Sequence, residues 1–301
     1  MLNQEFIFHM LILRVIFQIL MKSNYKIGIV GLGYVGSAIK SFFEKEIQIF
    51  SYDIQKKKST EKSIKDLLGK KVDFLFLCLP TPMNEDGSTF LGHINKVLEE
   101  ISSYGFNGVI VIKSTIPPKT TENYSNKYKA LQIVFNPEFL TEANFIEDFK
   151  NQEYIVLGGG KDSCGKVKNL YSNYFSSKMI HCVSSTESEM LKYYLNSYLA
   201  LKVSFSNEIY QLCKSMDINY DKLIYLSKLD KRIGKTHMNV PGPDGFLGFG
   251  GSCFPKDIRS FLRIFEDEKV QSLILKAAWQ RNREIDRPEQ DWLKLKGRSV
   301  V

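Results

Sequence analysis

Residues 26–43 read KIGIVGLGYVGSAIKSFF, and this stretch decides the fold. Its first five residues predict a short buried strand, and the segment after the last glycine continues as an apolar-periodic helix. Between them stand Gly31, Gly33 and Gly36 in G-x-G-x-x-G spacing. The first glycine makes a tight turn, the second lets backbone approach a pyrophosphate, and the third lets helix pack close to strand. Because a helix N-terminus attracts phosphate, the stretch predicts a dinucleotide-binding βαβ unit.

An acidic residue supports this interpretation and indicates which dinucleotide binds. The predicted second strand, Ile47–Tyr52, ends in Asp53, 22 residues after Gly31. An acidic side chain at this spacing meets the ribose 2′-hydroxyl, so NAD is favoured over NADP. Lys56–Lys58 follow closely and are compatible with a 2′-phosphate, but Asp53 would repel it. A structural glycine turn without a ligand is the alternative that Asp53 disfavours.

The strands that follow indicate the rest of the first domain. Strand-like runs separated by helical or loop segments lie at Val72–Leu79, Val109–Lys113, Gln132–Phe135, Tyr154–Leu157 and Met179–Val183. This rhythm predicts an α/β Rossmann domain with a doubly wound parallel sheet, which binds ligands at the carboxyl ends of its strands. Polar motifs follow three of these strands, at Pro80–Pro82, Ser114–Pro118 and Asn136–Glu142. We expect them to share one site at the sheet rim.

The pattern changes near Thr186. Glu187–Met216 contains neither Pro nor Gly and has apolar residues at helical spacing, which predicts one long helix. Such a helix needs a partner, and self-association is the simplest. Lys192 and Asn196 lie four residues apart and share one face, which is either functional or merely solvated. The sequence therefore predicts a Rossmann domain at residues 24–186 and a helical dimerisation domain at residues 187–301.

A glycine-rich loop follows in the helical half. It reads VPGPDG from Val240 and GFGGSCFPKD from Gly248, and dense glycine permits close approach of backbone to a ligand. Cys253 lies in the second motif with Lys256 three residues on, and a nearby ammonium favours the reactive thiolate. We interpret Cys253 as a candidate nucleophile. The other cysteines are interpreted as inert: Cys78, Cys164, Cys182 and Cys213.

Composition excludes broad classes. A chain of 301 residues that is 44% hydrophobic and 25% charged has room for two domains and is neither disordered nor multi-spanning. Its charge of +8 suits nucleic acid, a membrane surface or a phosphorylated small molecule, but no nucleic-acid recognition motif accompanies it. The five cysteines lack a CxxC pair and the four histidines lack metal-ligand spacing. We therefore expect a cytoplasmic protein without a metal or membrane partner.

Residues 1–23 are interpreted as an amino-terminal extension. Phe6–Leu20 is apolar but interrupted by His9, Arg14 and Gln18. It is shorter than the roughly 20 residues that cross a bilayer, and it lacks the basic start and cleavage site of a signal peptide. An upstream-start or non-native extension is the favoured interpretation, and a membrane-surface anchor is the alternative.

Six motifs occur in an order that is typical of one enzyme family: GLGYVG, PTP, STIPPKT, NPEFLTEA, EMLKYYLNSYLALKVSFSNE and GFGGSCFPKD. From about Tyr25 onward the chain resembles the UDP-glucose/GDP-mannose dehydrogenase family, and within it the UDP-glucose 6-dehydrogenases. GGSCFPKD is the most specific match. The resemblance implies oxidation of a sugar C6 alcohol to a carboxylate, with two NAD reduced. A cysteine thiolate would hold the aldehyde as a thiohemiacetal and then as a thioester, which water hydrolyses.

The resemblance also implies catalytic roles. It places the nucleophile at Cys253. Lys192 matches a lysine that stabilises oxyanionic intermediates, and Asn196 matches the amide that assists it. Asp257 and Thr115 match positions that hold a water serving as general base.

Ligand contacts are implied in the same way. Glu138 and Glu142 match the NPEFLxE carboxylates, and Glu142 is favoured as the aid to thioester hydrolysis. The residues implied to bind NAD are Gly31, Gly33, Tyr34, Val35, Gly36, Asp53, Thr81, Thr115, Glu142 and Lys256. Those implied to bind the sugar nucleotide are Glu138, Phe139, Leu140, Lys192, Asn196, Asn207, Phe249, Gly250 and Gly251.

The chain departs from the family pattern at three points. Lys119 and Ala143 replace glycines of the STxPPGT and NPEFLxEG motifs, and the chain stops within 20 residues of Glu284. Many relatives continue into a second Rossmann-like domain that grips the nucleotide, so we expect a compact variant or a fragment. UDP is the default nucleotide and GDP the alternative.

A charged segment precedes VPGPDG and contains Asp230, Arg232, Lys235 and His237. It either meets the diphosphate across a dimer interface or is a solvated loop.

Other functions remain as alternatives. The same chemistry on GDP-mannose or a UDP-N-acetylhexosamine is the first. A two-electron hydroxyacid dehydrogenase would share the first half and the lysine-asparagine helix, but it has no use for Cys253. A non-catalytic NAD-binding scaffold is disfavoured because Cys253, Lys192, Asn196 and Asp257 occur together.

Overall fold

The computed structural model describes residues 25–301, so the predicted extension at residues 1–23 lies outside the described residues. The chain divides into two compact units. The first consists of the segment ending at Leu79, Lys96–Lys113 and Thr121–Ser188. The second consists of Pro80–Asn95, Ser114–Thr120 and Glu189–Val301. Among the described residues, no helix has both the length and the apolar character that crossing a membrane requires.

The first unit is built on a seven-stranded sheet with the order β2-β1-β3-β4-β5-β6-β7. The strands are β1 (Lys26–Val30), β2 (Gln48–Tyr52), β3 (Phe74–Leu77), β4 (Val109–Ile112), β5 (Gln132–Phe135), β6 (Ile155–Gly159) and β7 (Ile180–Val183). They confirm the predicted strands and the α/β fold class. The chain moves from β1 outward to β2 and returns to β3 on the other side of β1. The rim beside β1 is therefore the topological switch point at which such sheets bind ligands.

One pairing departs from the predicted all-parallel sheet. β5 pairs with β6 antiparallel, while the other neighbouring strands run parallel. The connection between them carries only the six-residue helix Phe145–Lys150, which packs against the helix that follows β1. The chain therefore enters β6 from the edge of the sheet at which β5 ends and does not cross back to the opposite edge first.

Six helices connect the strands: α1 (Tyr34–Phe43), α2 (Ile64–Leu68), α3 (Gly92–Ser103), α4 (Thr120–Lys127), α5 (Phe145–Lys150) and α6 (Lys161–Ser172). The central strands are apolar at every position, as expected for a sheet covered on both faces. Phe43 of α1 and Tyr171 of α6 are fully buried against this sheet. The aliphatic strands and these aromatic residues together hold β1 and its glycine turn in a rigid core.

The second unit is mostly helical, as predicted. Its helices are α7 (Ser185–Ser215), α8 (Tyr220–Ser227), α9 (Phe254–Asp267) and α10 (Leu273–Arg281), with a π-helical turn at Asn282–Asp286 and a 3-10 turn at Asp291–Lys294. α7 is the predicted long helix. Its 31 residues extend over about 46 Å at the α-helical rise. Ser185–Ser188 of α7 lie in the first unit and the remainder in the second.

An apolar core holds α7, α9 and the glycine-rich loop together. Ile258 and Leu262 of α9 are buried in one cluster with Tyr193 of α7. Phe249 joins this cluster from the glycine-rich loop and stacks on Trp279, with ring centroids 6.4 Å apart. Burial of one aromatic side chain contributes roughly 1.5–3 kcal/mol. Phe249 therefore anchors a loop whose glycines would otherwise leave it flexible.

Candidate active site

The glycine turn after β1 forms an open cradle. Gly31 has a φ of +93°, a left-handed conformation that favours glycine. A Cβ on Gly36 would lie 1.9 Å from the Gly31 carbonyl oxygen, whereas a Cβ on Gly33 would meet no atom within 4 Å. α1 begins with Tyr34 and Val35, and its first turn has no acidic residue. The turn therefore leaves space and a helix N-terminus for a pyrophosphate, which fits NAD.

Asp53 lies beside this cradle, directly after β2. Its Oδ2 accepts a hydrogen bond of 2.6 Å from the Leu32 N–H, and its Oδ1 accepts one of 2.8 Å from the Gln55 N–H. The Ser59 hydroxyl donates to the Asp53 backbone carbonyl. These bonds hold the carboxylate next to the glycine turn, where a ribose hydroxyl can reach it. The predicted NAD residues of the first βα unit are thus brought together.

The loop after β5 carries the predicted carboxylates. The Glu138 Oε2 accepts a 2.9 Å hydrogen bond from the Leu140 N–H, so this carboxylate also shapes its own loop. Phe139 packs on Tyr154, with ring centroids 5.2 Å apart, and Glu142 is exposed. Contacts of Phe139 and Leu140 with a substrate remain predictions.

A buried polar network under this rim was not predicted from the sequence. The Lys113 Nζ and the Tyr171 hydroxyl donate to Asn136 Oδ1 at 3.0 and 2.8 Å, and Asn136 Nδ2 donates to the Val156 carbonyl oxygen. Burial raises the pKa of the neighbouring Cys78 to about 12, against the lowering effect of Lys113. Cys78 is therefore a neutral thiol. One signal was available: Lys113 and Asn136 are polar residues directly after apolar strands.

Thr81 and Thr115 follow β3 and β4 and belong to the second compact unit. Thr81 is buried and Thr115 half-buried.

Lys119, which stands where the family motif has glycine, adopts a φ of +73°. This left-handed conformation explains the family's glycine, because a side chain there is strained. Lys119 is exposed and forms an ion pair with Glu268.

The face of α7 that carries Lys192 and Asn196 meets α9 at a buried carboxylate. Lys192 and Asn196 are both buried on α7, so their shared face is not the solvated one. Asp257 of α9 is 2% exposed. Its Oδ2 accepts a hydrogen bond from Asn196 Nδ2, and its Oδ1 contacts the Lys256 ammonium. Of the predicted catalytic residues, the structure joins Asn196 and Asp257 in direct contact.

Lys256 is a fixed positive charge beside this carboxylate. Burial alone would lower the pKa of its ammonium group, but the charges of Asp257 and Cys253 outweigh burial and raise it. Lys256 therefore stays protonated across the physiological range. A protonated ammonium favours the thiolate form of a nearby cysteine.

Cys253 lies at the start of α9. It is the N-cap residue of a 14-residue helix, it is exposed, and the Ser252 hydroxyl lies 3.8 Å from its Sγ. Pro255 opens the helix, as is common in a first turn. A helix N-terminus stabilises negative charge, as does Lys256. Exposure and these two electrostatic effects suit Cys253 to act as a nucleophile.

Two buried asparagines hold the loop that carries Cys253. Asn207 Oδ1 accepts a hydrogen bond of 3.1 Å from the Gly248 N–H. Asn282 brackets Phe249, accepting from its N–H and donating to its carbonyl oxygen at 2.8 and 2.9 Å. The structure therefore uses Asn207 to fix the loop, and its predicted substrate contact is untested. Asn282 was missed, since no spacing in the sequence links it to the loop.

The end of the glycine loop is open. Gly251 has a φ of +71°, and a Cβ there would meet no atom within 4 Å. A Cβ on Gly250, by contrast, would lie within 2.6 Å of the Arg287 guanidinium. The two glycines therefore have different roles. Gly250 allows Arg287 to pack closely against the loop, and Gly251 leaves open space beside the backbone.

Three hydroxyls form a cluster one helical turn along α9 from Asp257; those of Tyr193 and Ser260 are buried, and that of Thr89 is half-buried. The Tyr193 hydroxyl is 3.0 Å from both Thr89 Oγ1 and Ser260 Oγ, which are themselves 2.6 Å apart. Burial, together with the negative charge of Asp257, raises the pKa of Tyr193 to about 12. Tyr193 is therefore a neutral hydrogen-bonding partner that ties α7 to α9. Its role was not predicted from the sequence.

The charged segment before VPGPDG has its own internal pairing. The Arg232 guanidinium contacts Asp230 through both Nε and Nη2. Burial lowers the pKa of His237, and the positive charge of Lys202 lowers it further. A role for these residues toward a diphosphate remains a prediction.

Among residues 25–301, no group of three or more His, Cys, Asp or Glu side chains is arranged to hold a metal ion.

Known solved structures share this architecture. A UDP-glucose dehydrogenase from Pyrobaculum islandicum superposes with a TM-score of 0.79 at 27% identity, over 87% of this chain and 69% of that one. A 3-hydroxyisobutyrate dehydrogenase from Mycobacterium tuberculosis superposes with a TM-score of 0.71 at 13% identity, over 90% of this chain and 99% of that one. The second likeness concerns the fold alone. Architecture by itself therefore does not separate the two predicted classes of dehydrogenase.

Sequence comparison shows the family. The UDP-glucose 6-dehydrogenase of Rickettsia prowazekii is 34% identical over 221 residues, which cover 71% of this chain and 50% of the relative. The chain thus spans about half the length of this curated relative. The family's NAD binding domain matches residues 64–175, and its central domain matches residues 186–284, which include the cysteine loop. The chain belongs to the UDP-glucose/GDP-mannose dehydrogenase family.

Proposed function

We propose that this protein oxidises the C6 alcohol of UDP-glucose to the carboxylate of UDP-glucuronate and reduces two NAD for each sugar. The observation that carries the proposal is the exposed Cys253 at the N-terminus of α9, next to the buried contacts of Asp257 with Asn196 and Lys256. A two-electron alcohol dehydrogenase has no use for such a thiol. A four-electron oxidation must retain an aldehyde and make it a hydride donor again, which a thiolate achieves.

NAD, when bound, supplies the hydride acceptor for each oxidation. Gly31, Gly33 and Asp53 fit its pyrophosphate and ribose, because the turn is open at Gly33 and the carboxylate is held beside it. In the first oxidation the C6 alcohol loses one hydride and its hydroxyl proton. A water held by Asp257 and Thr115 would accept that proton.

In the second oxidation the Cys253 thiolate adds to the aldehyde carbon and forms a thiohemiacetal oxyanion. Lys192 and Asn196 would stabilise this oxyanion through an ammonium and an amide. Loss of the second hydride from the same carbon leaves a thioester. Water then attacks the thioester with help from Glu142, which releases the carboxylate and regenerates the thiol. The alcohol and one water thereby yield one carboxylate, two hydrides and three protons.

The identity of the sugar nucleotide rests on similarity to relatives. The curated relative from Rickettsia prowazekii and the solved structure from Pyrobaculum islandicum are both named for UDP-glucose. GDP-mannose and UDP-N-acetylhexosamines, which undergo the same chemistry, are the competing substrates. We further propose a cytoplasmic homodimer that associates through α7.

The test is the number of NADH formed per UDP-glucose consumed by the purified protein with excess NAD. We expect two for the wild type. Cys253→Ala should lose turnover or stall near the aldehyde, whereas Cys182→Ser, which replaces another exposed thiol, should retain it. One NADH per sugar with no effect of Cys253→Ala would place the protein in the two-electron class. Turnover of GDP-mannose alone would leave the mechanism intact and change the substrate.

A further inference from the structure

Arg287 is a buried guanidinium that the proposed chemistry leaves unused. It follows the matched central domain, which ends at residue 284, and its side chain is 3% exposed. Its Nη2 donates to Asp244 Oδ2 at 2.7 Å. Its Nε and Nη2 donate to the two carboxylate oxygens of Asp291 at 2.8 and 3.1 Å. Arg287 thus bridges two carboxylates that lie 47 residues apart in the sequence.

The same guanidinium packs directly against the loop that leads to Cys253. A Cβ on Gly250 would lie 2.3 Å from its Cζ and 2.5 Å from its Nε, so the group fills the space of the missing side chain. The Phe246 ring lies over it, with the centroid 5.1 Å from Cζ. A cation over the face of an aromatic ring is attracted to it electrostatically. Arg287 therefore contacts the loop at its middle as well as at Asp244.

Asp244 is itself built into the beginning of the loop. Its Oδ1 accepts a hydrogen bond of 3.2 Å from the Phe246 N–H, and the Phe246 carbonyl oxygen accepts one of 2.8 Å from the Gly242 N–H. One carboxylate oxygen thus closes the turn, and the other holds Arg287. A planar guanidinium can donate to two carboxylates while it packs against the loop. A lysine ammonium lacks this geometry, so lysine is not equivalent here.

The loop needs such a constraint. Gly245, Gly248 and Gly251 all have positive φ, between +67° and +81°. Glycine gains more conformational freedom than any other residue when a loop loosens. Without Arg287, the segment between Asp244 and Gly250 would lose its ion pair at Asp244 and its contacts at Phe246 and Gly250.

We propose that Arg287 is a positioning residue that holds loop 244–252 in the shape that presents Cys253 at the N-terminus of α9. The inference rests on the proposed function in taking Cys253 as the nucleophile. If the loop relaxes, Cys253 moves away from the helix N-terminus that favours its thiolate. Misplacing a reacting group by about 1 Å costs up to a hundredfold in rate.

The test measures the reactivity of Cys253 separately from turnover. Iodoacetamide alkylation at pH 7, located by peptide mass spectrometry, reports on the thiol without NAD or sugar. Arg287→Met removes the fork and its charge, and Arg287→Lys keeps the charge. Arg263→Met is the matched control, because Arg263 pairs with Asp267 on the exposed side of α9.

We expect Arg287→Met to slow alkylation of Cys253 about threefold or more, as the helix N-terminus effect implies, and to lower kcat about tenfold. KM for NAD should change less than kcat, because the NAD residues of the first βα unit, Gly31 and Asp53, belong to the other compact unit. Arg287→Lys should recover part of both losses, and Arg263→Met should match the wild type.

A folded Arg287→Met protein with wild-type alkylation and wild-type kcat would overturn the proposal. If Arg287→Met does not fold, Asp244→Asn serves instead, since this side chain is 45% exposed and its loss is milder. Alkylation slowed about twofold by Asp244→Asn supports the proposal, and an unchanged rate overturns it. If no sugar nucleotide yields NADH while the Arg287 variants still slow alkylation, the proposed function fails and the positioning role stands.

Discussion

Asp53 has two roles in one carboxylate. Its hydrogen bond from Leu32 holds the glycine turn and that from Gln55 holds its own loop, and we expect its charge to face the position where NAD carries a ribose hydroxyl and NADP a phosphate. Lys57 and Lys58 follow in a 3-10 turn and bring positive charge nearby. We therefore expect the choice between cofactors to depend on one negative charge beside a basic segment.

Asp53→Ala is expected to raise KM for NAD about tenfold, because a hydrogen bond to a charged group is worth roughly 1.5–3 kcal/mol. The preference for NAD over NADP should fall at the same time, because the repulsion of the 2′-phosphate is gone. Steady-state kinetics with both cofactors measure this. Asp66→Ala removes an exposed charge at the start of α2 and should change neither value. An unchanged NAD/NADP ratio in Asp53→Ala would refute the role.

At the scale of the element, the β1-turn-α1 unit assigns different tasks to two of its glycines. Gly36→Ala is expected to lower the free energy of unfolding by about 2 kcal/mol or more, since its Cβ would lie 1.9 Å from the Gly31 carbonyl oxygen. Gly33→Ala should leave stability within about 0.5 kcal/mol, because its Cβ meets no atom and its φ is −71°. Denaturant unfolding of both variants measures the difference.

The same pair separates folding from binding. In Gly33→Ala the new methyl group extends into the space through which a pyrophosphate approaches, so NAD affinity should fall while the fold is kept. Titration of NAD by intrinsic fluorescence checks this. Equal stability losses in the two variants, or unchanged NAD affinity in Gly33→Ala, would contradict the assignment.

Elements whose formation depends on neighbouring residues in the chain can be predicted from the sequence, whereas features that depend on contacts between distant residues cannot. The buried strands and α7 were predicted nearly to their ends, because apolar runs and helical periodicity report burial directly. The reversed β6 was missed, because strand direction depends on how the connection between β5 and β6 packs, which no periodicity records. Asn282 and Arg287 were missed for the same reason. Both contact the glycine-rich loop from positions more than 30 residues away in the sequence, and neither belongs to a motif with a regular spacing.

At the scale of the whole molecule, α7 leaves an apolar stripe exposed. Tyr194, Tyr198, Phe205 and Leu212 are spaced by four, seven and seven residues and lie on one side of the helix, each more than half exposed. Tyr194 and Tyr198 stack in parallel, with ring centroids 6.2 Å apart. Contiguous exposed apolar surface of this kind marks an interaction site. A second copy of α7 is the partner predicted from the sequence.

Phe205→Glu is therefore expected to shift a dimer to monomer. The side chain is 66% exposed at the centre of the stripe, and a carboxylate buried in an apolar interface is strongly unfavourable. Sedimentation velocity across a range of protein concentrations measures the change. Lys96→Glu, an exposed substitution on α3, should remain dimeric. Because the Phe205 side chain is exposed, its replacement should leave the fold intact, and circular dichroism of the variant should match the wild type. A wild-type protein that sediments as a monomer at high concentration would contradict the predicted dimer.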